Sequence, residues 1–409
     1  MKHCFSLLFL FSAMAAFGQT TVGLAAYYNF DGNFQDATGN TANSALVHGG
    51  PEFRCGLVGQ AVYLDGGDDR IIIPGTDNVN REFDTEDFSV SFYYKPVGSG
   101  GTPYLISKRS PDCLGEHEFY VRYSPQTLTL ETVMYENPGR NIRLIERLFN
   151  TSCWQMVTVV REATRVKLYI NGKFAKDLGT AGRIDISNDG ELMIGFSNCA
   201  MGNEPPFKGL IDELRIYSRA LKEEEVAGLY LSPDKILNRD TVIFLGTQVD
   251  INLSVSCGVG FNWLPASGVM SPNEAEPSIS PLGAGEFTYK VRISDDVSTC
   301  VAEDSIRITV IDPDDLDCNK LYLPKAFTPN ADGLNDTYGI SNPFAVDELI
   351  SFEIFDRWGG RVFYTESPFE RWDGSAHGQM LNPGVFLYRV RFRCDGNEKL
   401  ETGSLTILR

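Results

Sequence analysis

Few groups in these 409 residues have the types and spacing to do chemistry. Beyond the N-terminal segment the histidines are His48, His117 and His377, isolated from one another and each read as a surface or loop residue. No nucleophile elbow, zinc-protease helix or phosphate loop is present. Glu82-Phe-Asp-Thr-Glu86 is the one acidic triplet with an alternating pattern. On a strand that spacing would put three carboxylates on one face, as the acid and nucleophile of a glycosidase require. Apolar alternation begins only at Phe88, however, so the triplet falls in a polar approach, without the rigid and partly buried setting that catalytic acids need. Asp36-Ala-Thr-Gly-Asn40 is a turn that can aim carbonyls and an acid at one point, which suits a hard cation such as calcium. As side chains alone, Asp36 and Asn40 serve equally as turn caps.

The two ends and the composition bound what those groups can serve. Met1-Lys-His-Cys, an apolar run from Phe5 to Ala16, and Phe17-Gly18-Gln19 make a secretory signal peptide, with cleavage expected after Gly18. The run is too short to span a membrane, and Cys4 precedes it where a lipidated cysteine would follow, so the mature chain is expected to be soluble. Eight cysteines remain: Cys55, Cys113, Cys153, Cys199, Cys257, Cys300, Cys318 and Cys394. An even count in an exported chain, with no Cys-x-x-Cys pair, argues for disulfides rather than metal thiolates. The formal charge of −18 excludes nucleic acid and anionic membranes as natural partners. With 43% hydrophobic residues the chain can build several cores.

The elements that must carry these groups are strands. Phe88-Ser-Val-Ser-Phe-Tyr-Tyr94 and Val166-Lys-Leu-Tyr-Ile170 alternate with period two. Asn171-Gly172 follows directly, a hairpin signal because both positions tolerate positive φ. Leu210-Ile-Asp-Glu-Leu-Arg-Ile-Tyr217 is a further strand, and Val226, Leu229 and Tyr230 share one face of a short helix. A two-sheet sandwich closed by one helix fits residues 19–232. Its landmarks include Tyr28-Asn-Phe-Asp31, Gly59-Gln-Ala-Val-Tyr-Leu-Asp-Gly66, Trp154-Gln-Met-Val157 and Gly209 to Tyr217. In these it resembles the laminin G-like, concanavalin A-like jelly roll. Lys222 departs from the family, standing where a capping Ser or Thr is usual. The resemblance implies a structural calcium held by Asp36, Asn40 and Asp212, with Asp31 as a further candidate. It also implies a Cys113–Cys199 disulfide. Cys55 and Cys153 are then left for each other, an open point because four cysteines allow three connectivities.

Residues 233–314 alternate again from Asp250 to Cys257, and Cys257, Trp263 and Cys300 resemble the Cys-Trp-Cys plan of an immunoglobulin-like or PKD-like spacer, with Trp263 as a core plug. Asp312-Pro-Asp-Asp-Leu-Asp317 is an acidic linker. The tail, residues 315–409, contains Pro329-Asn-Ala-Asp-Gly-Leu-Asn-Asp336, Phe352-Glu-Ile-Phe-Asp-Arg-Trp-Gly359 and Asn382-Pro-Gly-Val-Phe-Leu-Tyr388. In order and spacing these resemble the gliding motility-associated C-terminal domain, the type B sorting domain of type IX secretion. That resemblance implies recognition by the export machinery and display at, or release from, the cell surface. The Asn330–Asp336 loop reads as a tight turn, Trp358 and Trp372 as core, and Cys318 with Cys394 as a bridge between the domain's ends. The expected fold is all-β: a concanavalin A-like jelly roll and two small immunoglobulin-like β-sandwich domains in tandem. The expected work is binding of a glycan or an extracellular protein. The alternatives are a glycoside hydrolase or polysaccharide lyase on the jelly roll, or a structural surface-layer component.

Overall fold

The computed structural model describes residues 19–74, 83, 86–148, 153–255, 257–330, 335–376 and 378–408. The expected signal peptide, Glu82 and Asp84 of the acidic triplet, His377 and residues 331–334 lie outside them. Among the described residues no helix is long and apolar enough to cross a membrane. The chain forms two compact units. The first holds the described residues up to Asp240 with Asp250–Ile279 and Thr288–Ile306. The second holds Thr241–Val249, Ser280–Phe287 and the residues from Arg307 on.

The first unit is built on a two-sheet sandwich. Its strands in chain order are β1 (Leu24–Tyr28), β2 (Leu46–His48), β3 (Glu52–Cys55), β4 (Gln60–Asp65), β5 (Arg70–Ile73), β6 (Phe88–Pro96), β7 (Tyr104–Lys108) and β8 (Glu118–Ser124). They continue with β9 (Thr129–Asn137), β10 (Arg140–Arg147), β11 (Gln155–Glu162), β12 (Arg165–Ile170), β13 (Lys173–Gly179), β14 (Leu192–Ile194) and β15 (Lys208–Tyr217). One sheet runs β13-β12-β11-β6-β15-β4-β3, with β1 also on β15; the other runs β10-β9-β8-β7-β14-β5-β2. Between them Phe88, Val90, Phe92, Val157 and Val159 meet Phe119, Val121, Leu130 and Met134, all essentially inaccessible. Asn171 and Gly172 both take positive φ (50° and 75°) between β12 and β13, as the hairpin signal requires.

The alternation in β6 predicts one wet face, yet both faces are buried. Its second face lies under helix α1 (Glu223–Leu229), where Tyr93, Trp154, Tyr169, Val226 and Leu229 form a separate apolar cluster. Polar groups there are satisfied locally: Ser91 Oγ lies 2.8 Å from Thr158 Oγ1, and the Tyr93 hydroxyl donates to Leu229 O at 3.0 Å. At the helix start Lys222 lacks a capping hydroxyl, and Glu225 reaches back to accept from the Lys222 N–H at 3.0 Å. Three acids in the first turn also suit the positive end of the helix dipole.

Neither the expected Cys55–Cys153 pairing nor the Cys257–Cys300 bridge that the Cys-Trp-Cys plan implies is what forms. Cys55 pairs with Cys257 and Cys153 with Cys300, so both crosslinks join the jelly roll to the following module. The sheet order explains why. Cys55 ends β3 and Cys153 precedes β11, and between those strands lie β4, β15 and β6. Four strand spacings are roughly 19 Å, far beyond the Cα separation a disulfide tolerates. Cys113 pairs with Cys199. In the following module Trp263 is fully buried, its indole N–H donating to Glu274 O at 3.0 Å.

In the second unit, Thr241–Phe244 pairs in parallel with Ile308–Ile311, the end of a strand that starts at Val301. The tail sheet runs Ala326–Phe327, Asn397–Ile407, Gly384–Cys394, Glu348–Phe355, Arg361–Thr365. Cys318 pairs with Cys394. Trp372 is core, packed edge-on to Phe386 with ring centroids 5.3 Å apart. Trp358 is not: it is 82% exposed, a correction to its expected place. It sits in the turn between Glu348–Phe355 and Arg361–Thr365, where Asp356 Oδ1 accepts from the Trp358 and Gly360 N–H groups, each at 2.8 Å. Gly359 takes φ +82° there, so Asp-Arg-Trp-Gly-Gly is turn chemistry that displays its aromatic residue. The two tryptophans therefore separate in a denaturation experiment. Trp372→Ala lowers tail stability by about 3–5 kcal/mol, while Trp358→Ala stays within about 0.5 kcal/mol.

Candidate functional site

The residues expected to hold calcium are all placed, and each is already engaged. Asp36 is buried at the start of a turn; its Oδ1 accepts from the Tyr27 and Thr38 N–H groups (3.0 and 2.9 Å) and its Oδ2 from the Asn43 amide (2.8 Å). Asn40 caps a short 3-10 turn through the Ala42 N–H at 3.2 Å. Asp31 accepts from the Gln60 N–H at 2.8 Å and the Asn29 amide at 2.9 Å. Asp212 is fully buried on β15 and accepts from the Leu57 and Glu213 N–H groups, both at 2.8 Å. Burial, with Glu213 beside it, pushes the Asp212 carboxyl up to about 8, against the pull of these N–H donors. A hard cation would need several of these oxygens turned to one point. In this geometry Asp36, Asn40 and Asp212 each clamp neighbouring N–H groups. Asp212 and Asp31 fasten the β3–β4 hairpin, and Asp36 fastens the loop after β1.

A different set of residues converges at the strand ends. The β4–β5 turn (Asp65, Gly66), the β6–β7 loop (97–103) and the β14–β15 loop (195–207) enclose a cleft of about 400 Å³. Tyr123 of β8 and Phe207 are the aromatic residues of its lining, and Asp65, Asn203 and Lys208 supply polar groups. Val97 and Gly98 both donate backbone N–H groups to Lys208 O (2.9 and 3.0 Å), and Thr102 N–H donates to Asn203 O (3.0 Å). Such close backbone approach needs glycine. At Gly101, with φ +67°, a Cβ would come within 2.3 Å of Pro205.

A polar lattice on the outer face of the second sheet holds one wall. Strand register sets Arg122 of β8 opposite Tyr104 of β7 and Glu131 of β9. Arg122 and Arg143 both pair with Glu131, Arg109 donates to Glu118 at 2.8 Å, and the Tyr104 hydroxyl donates to Glu204 at 3.1 Å. Burial pushes the Tyr104 hydroxyl up to about 12, so it remains a donor across the ordinary pH range. Arg109 also donates to Cys199 O at 3.2 Å, and Glu204 accepts from the Met201 N–H at 3.0 Å. Together with the Cys113–Cys199 bridge these contacts fix the loop that carries Asn203 and Phe207.

None of these residues stood out in the sequence as chemistry. The available signal was Glu118-Phe-Tyr-Val-Arg-Tyr123, in which every second residue is polar or aromatic on a face opposite the core. The histidines stay apart, His48 3.7 Å from Asp68 and His117 3.7 Å from Asp185. Glu86, the described end member of the acidic triplet, is solvated and 3.8 Å from Arg183. Among the described residues one cluster has metal-ligand spacing, Cys318, Cys394 and Asp395, and its sulfurs are joined in a disulfide.

Comparison with known proteins agrees with this architecture. Residues 65–227 match the concanavalin A-like lectin/glucanases superfamily (Laminin_G_3), and residues 321–407 match the CHU_C type IX secretion signal domain. No curated protein matches the chain. Among solved structures, domain 4 of AbnA, a GH43 extracellular arabinanase from Geobacillus stearothermophilus in complex with arabinotriose, is 23% identical with a TM-score of 0.39. It covers 51% of this chain and 98% of that one. The CBM40 of a Ruminococcus gnavus IT-sialidase, bound to alpha2,3 sialyllactose, is 15% identical with a TM-score of 0.36, covering 42% and 96%. The binding domain of Paraclostridial Mosquitocidal Protein 1 is 16% identical with a TM-score of 0.45, covering 93% and 89%. The chain thus carries a concanavalin A-like jelly-roll domain and a type IX secretion signal domain, and is exported to the cell surface or secreted.

Proposed function

We propose that this exported chain is a binding protein whose jelly roll captures a glycan in the cleft between the β6–β7 and β14–β15 loops. The observation that carries the reading is the cleft itself. Its volume of about 400 Å³ is that of a small-molecule site. Glycines and prolines make most of its lining, with two aromatic rings, an acid, an amide and an ammonium among the rest. Those groups can hydrogen-bond sugar hydroxyls from either direction. Binding is favoured over hydrolysis because glycosidases place two carboxylates across the scissile bond, and Asp65 is the only carboxylate among the described lining residues. Binding is also proposed to need no calcium, since Asp36, Asn40 and Asp212 already serve as acceptors for N–H groups.

Glycan-array binding by the exported protein, in calcium and again in EDTA, tests this. The expected result is binding to a restricted set of glycans, equal in both buffers and unaccompanied by cleavage. Gly100→Trp supplies the site control. Gly100 lines the cleft and a Cβ there meets nothing within 4 Å, so an indole is added beside the ligand's place without straining the fold. It lowers affinity by about tenfold or more, one step of 1.4 kcal/mol, with the melting temperature unchanged. Loss of binding in EDTA overturns the calcium-free mode, and release of reducing ends turns the protein into an enzyme. Binding to no glycan leaves a protein ligand or a structural surface role.

A further inference from the structure

We infer that the cleft is one end of a longer groove completed by the module that follows the jelly roll, and that its ligand is a neutral oligosaccharide long enough to reach Thr299. This rests on the glycan-binding reading and extends it. A second hollow of about 240 Å³ adjoins the first and shares Pro96, Gly98 and Tyr123 with it. Its far side is made by Thr299 and Cys300, which belong to the following module.

That wall is built rather than incidental. Cys300 is bonded to Cys153 at the start of β11. Five residues earlier, Asp295 accepts from the Val297 and Ser298 N–H groups (2.8 and 2.7 Å) and pairs with Lys95 of β6. Both anchors tie the 295–300 loop to the jelly roll, so the groove is preformed and a ligand need not order it. Ser99 and Thr299 place hydroxyls along the second hollow, and Pro96 and Pro125 give it apolar faces.

Charge selects the ligand class. The first cleft sets one acid, Asp65, against one base, Lys208, and the second hollow has no charged residue among its described lining. The chain as a whole carries −18, a field that repels polyanions. A neutral glycan chain fits both conditions.

Calorimetric titration of the exported protein with cello-, laminari-, xylo- and arabino-oligosaccharides, from disaccharide to hexasaccharide, tests the inference. Thr299→Arg is the variant. Thr299 is exposed, so the substitution folds, and the long cationic side chain fills the second hollow. Expected is a gain of about tenfold or more from the shortest to the longest ligand in the parent protein, lost in Thr299→Arg while disaccharide binding is retained. Disaccharide binding with no gain in length, or a gain that survives Thr299→Arg, overturns the longer groove and leaves the glycan-binding reading standing. Failure to bind any member of the series overturns both.

Discussion

Asp295→Ala lowers the stability of the first unit by about 3–5 kcal/mol, the loss seen when one partner of a buried ion pair is removed. Lys95 lies on the face of β6 turned away from the sandwich core, with its ammonium on the Asp295 carboxylate. The two side chains are 3% and 6% exposed. Truncating the acid leaves the ammonium desolvated, 5.8 Å from the Trp154 ring centroid and without its counter-charge. It also strips the acceptor from the Val297 and Ser298 N–H groups. Asp295→Asn separates the two effects, since an amide oxygen still accepts from the loop but brings no charge. Urea unfolding of Asp295→Ala, Lys95→Met and the double variant forms a cycle that isolates the coupling. The double variant is expected to recover much of the loss, because replacing a whole buried pair by apolar groups is often near neutral. If Asp295→Ala is equally damaging with and without Lys95, the pair is not coupled and this account of the loop fails.

How much of this was legible in the sequence depends on how local each signal is. Period-two alternation located β6 and β12, and the Asn171-Gly172 turn fixed the β12–β13 register, because strand pattern and turn chemistry are read within a few residues. Even the missing cap at Lys222 was visible, although Glu225's compensation was not. Sheet order is not local. The residues around Cys55 and Cys153 do not say where β3 and β11 stand in the sheet, and those places keep Cys55 from Cys153. The cleft escaped notice for the same reason. Its walls are glycine and proline loops whose own composition says only "turn", and they meet because β6, β15 and β4 are neighbours in the sheet. Trp358 misled in another way: an aromatic residue argues for burial only when the backbone around it is a strand.

Removing Cys153–Cys300, by Cys153→Ser with Cys300→Ser, lowers stability by about 4–5 kcal/mol in the chain-entropy account of a large closed loop. Removing Cys55–Cys257 acts in the same direction. The bridges span 147 and 202 residues of sequence, so each withdraws much freedom from the unfolded chain. Their joint loss is smaller than the sum, because with one bridge closed the other closes a shorter path. Beyond entropy, the 295–300 loop brings Val297 against the apolar cluster beneath α1, so its release also uncovers part of that cluster. Thermal unfolding should therefore show a lower transition for the whole first unit in Cys153→Ser/Cys300→Ser, not a separate early transition confined to the spacer. A jelly roll that melts unchanged without this bridge would mean the two modules are merely adjacent. The binding consequence follows from the same geometry. Freeing Cys300 unfixes the far wall of the groove while the first cleft keeps its own Cys113–Cys199 anchor. Long oligosaccharides then lose their advantage over short ones, at a temperature where the protein is still folded.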